Sequence, residues 1–395
     1  MENRFKRKRV DDDSQYCLNC FNATTYEDNR LNFLFFLTVA NRLATNQFNV
    51  SDISPNVILP PDAAHAPAMR AFQGIPSLAL SPRTIWVTWY AGSTPHEDHN
   101  NYVVLSSSGD AGQTWREQAV IDPDGDGPVR AFDPQLWCDP QGRLWWFWTQ
   151  GVLHQGALAR VWAMTCDNPD TCTTWSTPRI VARGVMMNKP LVRANGEWML
   201  PVSTWRECDD SAGVVVSTDN GATWQRRGGA NVPLEARSYD EHSIIELHNG
   251  TIVCYVRTNY GIGMSRSTDN GHTWAPLKPS SIPNANARFF VGRLQSGNLL
   301  LVKHGSMTEQ IGRSHLTALL SQDDGETWEG GLLLDERDKV SYPDGQQATD
   351  GTILITYDRE RTGAREINLA TFREDDVITG NTASPTANLR QRVNV

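Results

Sequence analysis

An eight-residue pattern, Ser-x-Asp-x-Gly-x-Thr-Trp, recurs along the chain and limits its possible folds more than any other feature. It stands at Ser108–Trp115, Ser217–Trp224, Ser267–Trp274 and Ser321–Trp328, and a worn copy runs from Thr165 through Asp167 to Thr174-Trp175. Successive copies start 57, 52, 50 and 54 residues apart. A fixed period near 50 marks a repeat architecture in which each unit is one small sheet. Between the copies lie six strand–turn–strand segments: Ile75–Trp89, Pro134–Trp148, Pro190–Val202, Ser243–Val256, Phe289–Val302 and Gly345–Tyr357. Five of them turn on a glycine, at Gly142, Gly196, Gly250, Gly297 and Gly351, and the first turns on Ser81-Pro82-Arg83. Glycine at such steps supplies the positive φ that tight hairpins need. Six hairpins predict an all-β, six-bladed β-propeller over residues 56–376. Residues 1–55 are expected to be a poorly defined segment and 377–395 a C-terminal tail.

The eight-residue motif reads as structural. Its Asp accepts backbone N–H groups within a turn, its Gly takes positive φ, and its Trp packs against a neighbouring sheet. One active site has no use for five copies, so these Asp residues are not read as catalytic. The motif accounts for five of the 14 Trp residues.

The formal net charge is −9 and no basic run passes through the body of the chain, which argues against nucleic acid as a partner. The apolar stretch Leu31–Ala40 is too short to span a bilayer. Arg4–Arg9 is basic, and no clear signal peptide is present. The seven Cys are scattered, and Cys17 and Cys20 lack the second pair a zinc site requires, so neither metal nor cofactor is expected. Cys166 and Cys172 are close enough to pair, and free thiols are the alternative.

In a propeller the residues opening each inner strand converge on one mouth. That rim would hold Arg70, Gln73 and Gly74, then Arg130 and Asp133, then Asn188 and Lys189. It continues with Asp240, Glu241 and His242, then Arg288, then Tyr342 and Asp344, with Arg257 and Arg313 on strands beside it. Such a density of cations and carboxylates fits a binding site.

Over residues 70–373 the chain resembles the sialidases, whose Ser-x-Asp-x-Gly-x-Thr-Trp turns are called Asp-boxes. The resemblance implies a retaining exo-glycosidase that removes a terminal acidic sugar, sialic acid or a relative. It places Tyr342, in Ser341-Tyr342-Pro343-Asp344-Gly345, as nucleophile and Glu241, in Asp240-Glu241-His242, as its base. Arg257 and Arg313 take the places of two carboxylate-binding arginines. Asp98, in Pro95-His96-Glu97-Asp98-His99, takes the place of the acid/base, in preference to Glu97.

One family feature is missing. Where sialidases have aromatic-Arg-Ile-Pro, this chain has Phe72-Gln73-Gly74-Ile75-Pro76, and Asp358 stands where a Glu orients that Arg. The carboxylate subsite is then expected to rest on Arg257 and Arg313, with Arg70, Lys189 or Arg288 as candidates for a third cation, so that a poor sialidase or a preference for another sugar is expected; Gln73, Asp133 and Asp358 complete the expected substrate-binding set. The loss also leaves room for a hydrolase or lyase of uronic-acid polysaccharide, or for a non-catalytic carbohydrate-binding propeller. A carbohydrate partner and no membrane span are expected throughout, and the substrate class favours a secreted or periplasmic protein.

Overall fold

A computed structural model describes residues 49–172, 174–205 and 209–394. The basic run, the apolar stretch and Cys17, Cys20 and Cys208 lie outside the described residues.

Six antiparallel sheets follow one another along the chain. Their inner strands are Phe72–Leu80, Arg130–Cys138, Val185–Met186 with Leu191–Val192, His242–Glu246, Phe290–Arg293 and Val340–Gln347. Each blade then meanders outward through three further strands, so the predicted six-bladed propeller is the observed fold. The inner strand of blade three is broken over residues 187–190. The only α-helix among the described residues is Glu374–Thr379.

Alternation along each strand sends apolar side chains to both faces, because every sheet is covered by a blade on either side. The core is therefore six apolar layers, each shared by two adjacent blades. Leu105 and Trp86 of blade one meet Trp146 and Trp148 of blade two, and Leu78 and Trp89 meet Leu354 and Leu369 of blade six. Replacing a fully buried Trp such as Trp146 by Ala would cost about 3–5 kcal/mol.

The Asp-boxes join the third strand of a blade to its fourth, away from the axis. All four intact copies repeat one set of bonds. In the box at Ser217, Ser217 Oγ donates to Asp219 Oδ1 (2.7 Å) and accepts from Gly221 N (2.8 Å), and Asp219 Oδ1 accepts from Thr223 N (2.9 Å). The same pattern holds around Asp110, Asp269 and Asp323. Gly221 has φ 80°, and a Cβ there would sit 2.7 Å from Trp145 of the preceding blade, so the turn also presses one blade on the next. The worn copy carries the Cys166–Cys172 disulfide instead.

The ends of the ring depart from expectation. Residues 388–392 are not a tail but form the outermost strand of blade six, paired with Glu366–Phe372. Asn56–Ile58 adds a fifth strand to blade one. Among the described residues, no strand is shared between the first and last blades. Side chains join them: Asp344 Oδ2 accepts from Ser77 Oγ (2.7 Å) and Leu78 N (2.8 Å), and Gln346 Oε1 accepts from Leu80 N (3.0 Å).

Three inner strands carry a bulge at the mouth. Ile75, Asp133 and Tyr342 each have positive φ (57°, 48° and 55°), each precedes a proline, and the pairing register slips at each. A bulge re-aims a side chain that regular pleating would send into the neighbouring layer. This backbone is strained for non-glycine residues, and the rings of contacts around it hold it in place.

Candidate active site

The bulge at Tyr342 brings its phenol to the two residues expected to join it. Tyr342 Oη lies 3.1 Å from Glu241 Oε1. Arg257 Nη1 donates to both, at 2.8 Å to Glu241 Oε1 and 3.0 Å to Tyr342 Oη. Asn286 Oδ1 accepts from Arg257 Nε at 2.7 Å and fixes the guanidinium. All three of Tyr342, Glu241 and Arg257 are buried. Burial, and then the Glu241 carboxylate, push the Tyr342 hydroxyl above the usual phenol range. The phenol is therefore neutral near pH 7 and cannot act as a nucleophile until a base takes its proton.

Arg313 also reaches this point. Its guanidinium lies 5.4 Å from the Tyr342 ring centroid, and its Nη2 donates to Asn286 O at 3.3 Å. No carboxylate pairs with it among the described residues, so its charge is available to an anion.

A third guanidinium, outside the expected set, reaches the same point. Arg361, on the hairpin that follows Ile353–Arg359, crosses to blade one and places its guanidinium 4.3 Å from the Tyr342 ring centroid. Gly74 is what lets it through, since a Cβ there would lie 2.7 Å from both Cγ and Cδ of Arg361. Asp358 holds it: Oδ2 accepts from Arg361 Nε (2.9 Å) and Ile75 N (2.8 Å), while Oδ1 accepts from Ser341 Oγ (2.9 Å). The two departures from the family pattern meet here: Gly74 leaves the space that Arg361 fills, and Asp358 holds the Arg361 guanidinium. A glycine where an arginine is expected, together with Asp-x-x-Arg on the facing hairpin, is the sequence signal that was available.

Four expected substrate contacts are employed elsewhere. Arg70 forms a two-pronged pair with Glu117 (2.6 Å on each arm) and also donates to His65 O. Gln73 Oε1 accepts from Arg70 (3.2 Å) and Trp89 Nε1 (3.0 Å). Arg288 runs into the axis and donates to Met187 O, Pro76 O, Tyr342 O and Pro343 O. Lys189 plugs the same axis, with Nζ 2.7 Å from Asp344 Oδ2 and 2.7 Å from Leu136 O. Arg288 and Lys189 tie blades together, and Arg70 and Lys189 are already paired with carboxylates.

Asp133 does face the cluster. Burial, opposed by Arg130 and assisted by Glu97 and Glu241, raises its carboxyl to about 8, so it is protonated at neutral pH and can donate a hydrogen bond.

Asp98 does not present a free carboxylate. Its Oδ2 accepts from Thr94 Oγ1 (2.7 Å), and its Oδ1 accepts from Asn100 N (2.9 Å) and Asn100 Nδ2 (3.1 Å), so it closes its own loop. Its neighbour Glu97 points at the cluster instead. Glu97 Oε1 accepts from Arg361 Nη1 at 3.2 Å, and Oε2 lies 3.8 Å from Arg130 Nη2 and 3.9 Å from His154 Nε2. No group of metal-ligating side chains occurs among the described residues.

Comparison with solved structures shows the same fold in sialidases. The intramolecular trans-sialidase from Ruminococcus gnavus, solved with oseltamivir carboxylate, superposes with a TM-score of 0.64 at 16% identity, over 83% of this chain and 99% of that one. The NanB sialidase from Streptococcus pneumoniae gives 0.60 at 12% identity, over 85% and 73%. A protein of unknown function from Dyadobacter fermentans gives 0.56 at 17% identity, over 79% and 95%. No curated protein matches this sequence. The model of the BNR repeat-like domain matches residues 83–355, more than half of the chain. This chain belongs to the BNR repeat-like domain family.

Proposed function

We propose that the protein is an exo-acting glycoside hydrolase that removes a terminal acidic sugar, sialic acid or a relative, with retention at the anomeric carbon. The observation that carries this reading is the Tyr342–Glu241 contact of 3.1 Å beneath three converging guanidiniums, those of Arg257, Arg313 and Arg361.

The chemistry follows from charge. Most retaining glycosidases use a carboxylate nucleophile, and sialidases use a Tyr. When the anomeric carbon itself carries a carboxylate, an anionic nucleophile is repelled and a neutral phenol is not. Arg257, Arg313 and Arg361 would grip the substrate carboxylate through charge-assisted, forked contacts. Glu241 takes the Tyr342 proton as the phenol oxygen attacks, and returns it when water displaces the tyrosine. A carboxylic acid from the 93–100 loop protonates the leaving oxygen and later deprotonates the water. Asp133, held protonated, is placed to donate to a hydroxyl or acyl oxygen of the sugar.

The alternative of a polysaccharide hydrolase or lyase drew its force from the arginine absent at Phe72–Pro76, and Arg361 removes that reason. The test is release of fluorophore from an aryl glycoside of sialic acid, compared with aryl uronides. Wild type should cleave the former, Tyr342→Phe should lose at least about a hundredfold, and cleavage of uronides alone would refute the reading.

A further inference from the structure

The 93–100 loop offers two carboxyl groups to the reaction, and their surroundings differ in kind. Asp98 spends both oxygens on Thr94 and Asn100 of its own loop. Releasing it to a substrate would undo the turn that positions the loop. Glu97 spends its side chain on groups from other blades, one of which, Arg361, already borders Tyr342. We infer that Glu97, not Asp98, is the general acid/base of this site, and that Arg361, which Glu97 binds here, gives it up to the carboxylate of the substrate. This inference rests on the glycosidase reading above.

Arg361 is the link. One guanidinium contacts Glu97 Oε1 (3.2 Å), Asp358 Oδ2 (2.9 Å) and the face of Tyr342. Asp358 is the positioning residue, since it is buried and also accepts from Ile75 N and Ser341 Oγ. Glu97 is the exchangeable partner. A substrate carboxylate seated over Tyr342 would compete with Glu97 for the outer arm of Arg361.

That exchange changes the acid. The groups facing Glu97 are Arg361 from blade six, Arg130 and Asp133 from blade two, His154 from the loop after Leu144–Gly151, and Tyr90 of blade one. Burial alone pushes the Glu97 carboxyl up, while His154, Arg361 and Arg130 together hold it well below the usual range. Neutralising Arg361 with a substrate anion removes part of that pull and leaves the effect of burial, so Glu97 takes up a proton as the substrate binds. In the first step the Glu97 proton moves to the glycosidic oxygen as the bond from the anomeric carbon to that oxygen breaks. The bond to Tyr342 Oη forms at the same time, and the phenol proton goes to Glu241. In the second step Glu97 takes a proton from water, whose oxygen bonds to the anomeric carbon as Tyr342 leaves and recovers its proton from Glu241.

The experiment compares wild type, Glu97→Gln and Asp98→Asn on the 4-nitrophenyl and methyl glycosides of sialic acid. The first leaving group departs without protonation and the second does not. Glu97→Gln should lose about 10²–10⁴-fold on the methyl glycoside and less than about tenfold on the nitrophenyl one. Asp98→Asn should change both by the same small factor. In wild type the alkaline limb of kcat should lie at least about one pH unit above that of kcat/KM, because the two report the bound and the unbound enzyme. Arg361→Met should draw the limbs together. A leaving-group-dependent loss in Asp98→Asn instead, or coincident limbs in wild type, overturns the inference while leaving the glycosidase reading standing. A wild-type protein inert towards both glycosides refutes both.

Discussion

Placing a methyl group at Gly74 should disable the site without harming the fold. Gly74 does not occupy the left-handed region, so Ala can adopt its backbone conformation, yet its Cβ would lie 2.7 Å from Arg361 Cγ and Cδ and 3.0 Å from Asp358 Oδ2. Those atoms are the middle of the Arg361 side chain, so the guanidinium must move as a whole. It would lose the Asp358 bond of 2.9 Å and its position over Tyr342. Removing one charge-assisted contact to the substrate carboxylate is worth about 1.5–3 kcal/mol, or roughly a ten- to hundredfold fall in kcat/KM. Against this, Gly→Ala lowers the entropy of the unfolded chain and stabilises by about 0.4–1 kcal/mol, which offsets part of the strain. The assay is kcat/KM on an aryl sialoside, with thermal melting as the control. Gly74→Arg tests the same logic harder. If the subsite were short of an arginine, this substitution would restore one; with Arg361 already there, it should reduce activity at least as much as Ala. A Gly74→Arg variant more active than wild type would show instead that the subsite lacks an arginine.

Arg70→Gln should leave kcat/KM unchanged while costing about 1.5–3 kcal/mol of stability in a denaturant titration, because it removes a two-pronged charge-assisted pair from the part-buried Glu117. Asp133→Asn should raise stability at pH 7. The folded carboxyl titrates near 8 and the unfolded one near 3.8, so the wild-type protein loses stability as pH rises between those values, and melting curves of the two proteins should diverge across that window. The box carboxylates act with the opposite sign. Hydrogen bonds from Thr223 and Ser217 depress Asp219 to about 2, so its contribution is complete above about pH 4 and disappears as pH falls through 2. Asp219→Asn should flatten that acid limb in pH-dependent melting and leave activity intact.

The parts of this protein written in local sequence were legible. The boxes and glycine turns depend on contacts within eight residues, and they gave the blade number and the outward position of Asp110, Asp219, Asp269 and Asp323. Tyr342, Glu241 and Arg257 were legible as a motif set, and their side chains do meet. Arg361 was not, because its role depends on Gly74, which lies 287 positions earlier in the numbering and touches it only once the ring closes. The axis cations misled for a related reason. Sequence order put Arg288 and Lys189 on the rim but could not tell whether they face the mouth or the channel beneath it. Asp98 and Glu97 are neighbours in an irregular loop where one position decides direction, and only Glu97 faces Arg361. The Asp-x-Asn spacing of Asp98 and Asn100 is itself a turn signal, with the Asp side chain bonding the backbone two residues on.

The proposed mechanism joins Tyr342 covalently to the sugar. The most direct measurement is to trap that species with a fluorinated acidic glycosyl fluoride, which slows the second step, and to locate the adduct by peptide mass mapping. One added glycosyl group is expected, on Tyr342, absent from Tyr342→Phe and slow to form in Glu241→Gln. Turnover of the substrate with the adduct on Glu241 or Glu97, or with inverted product and no adduct, would contradict it.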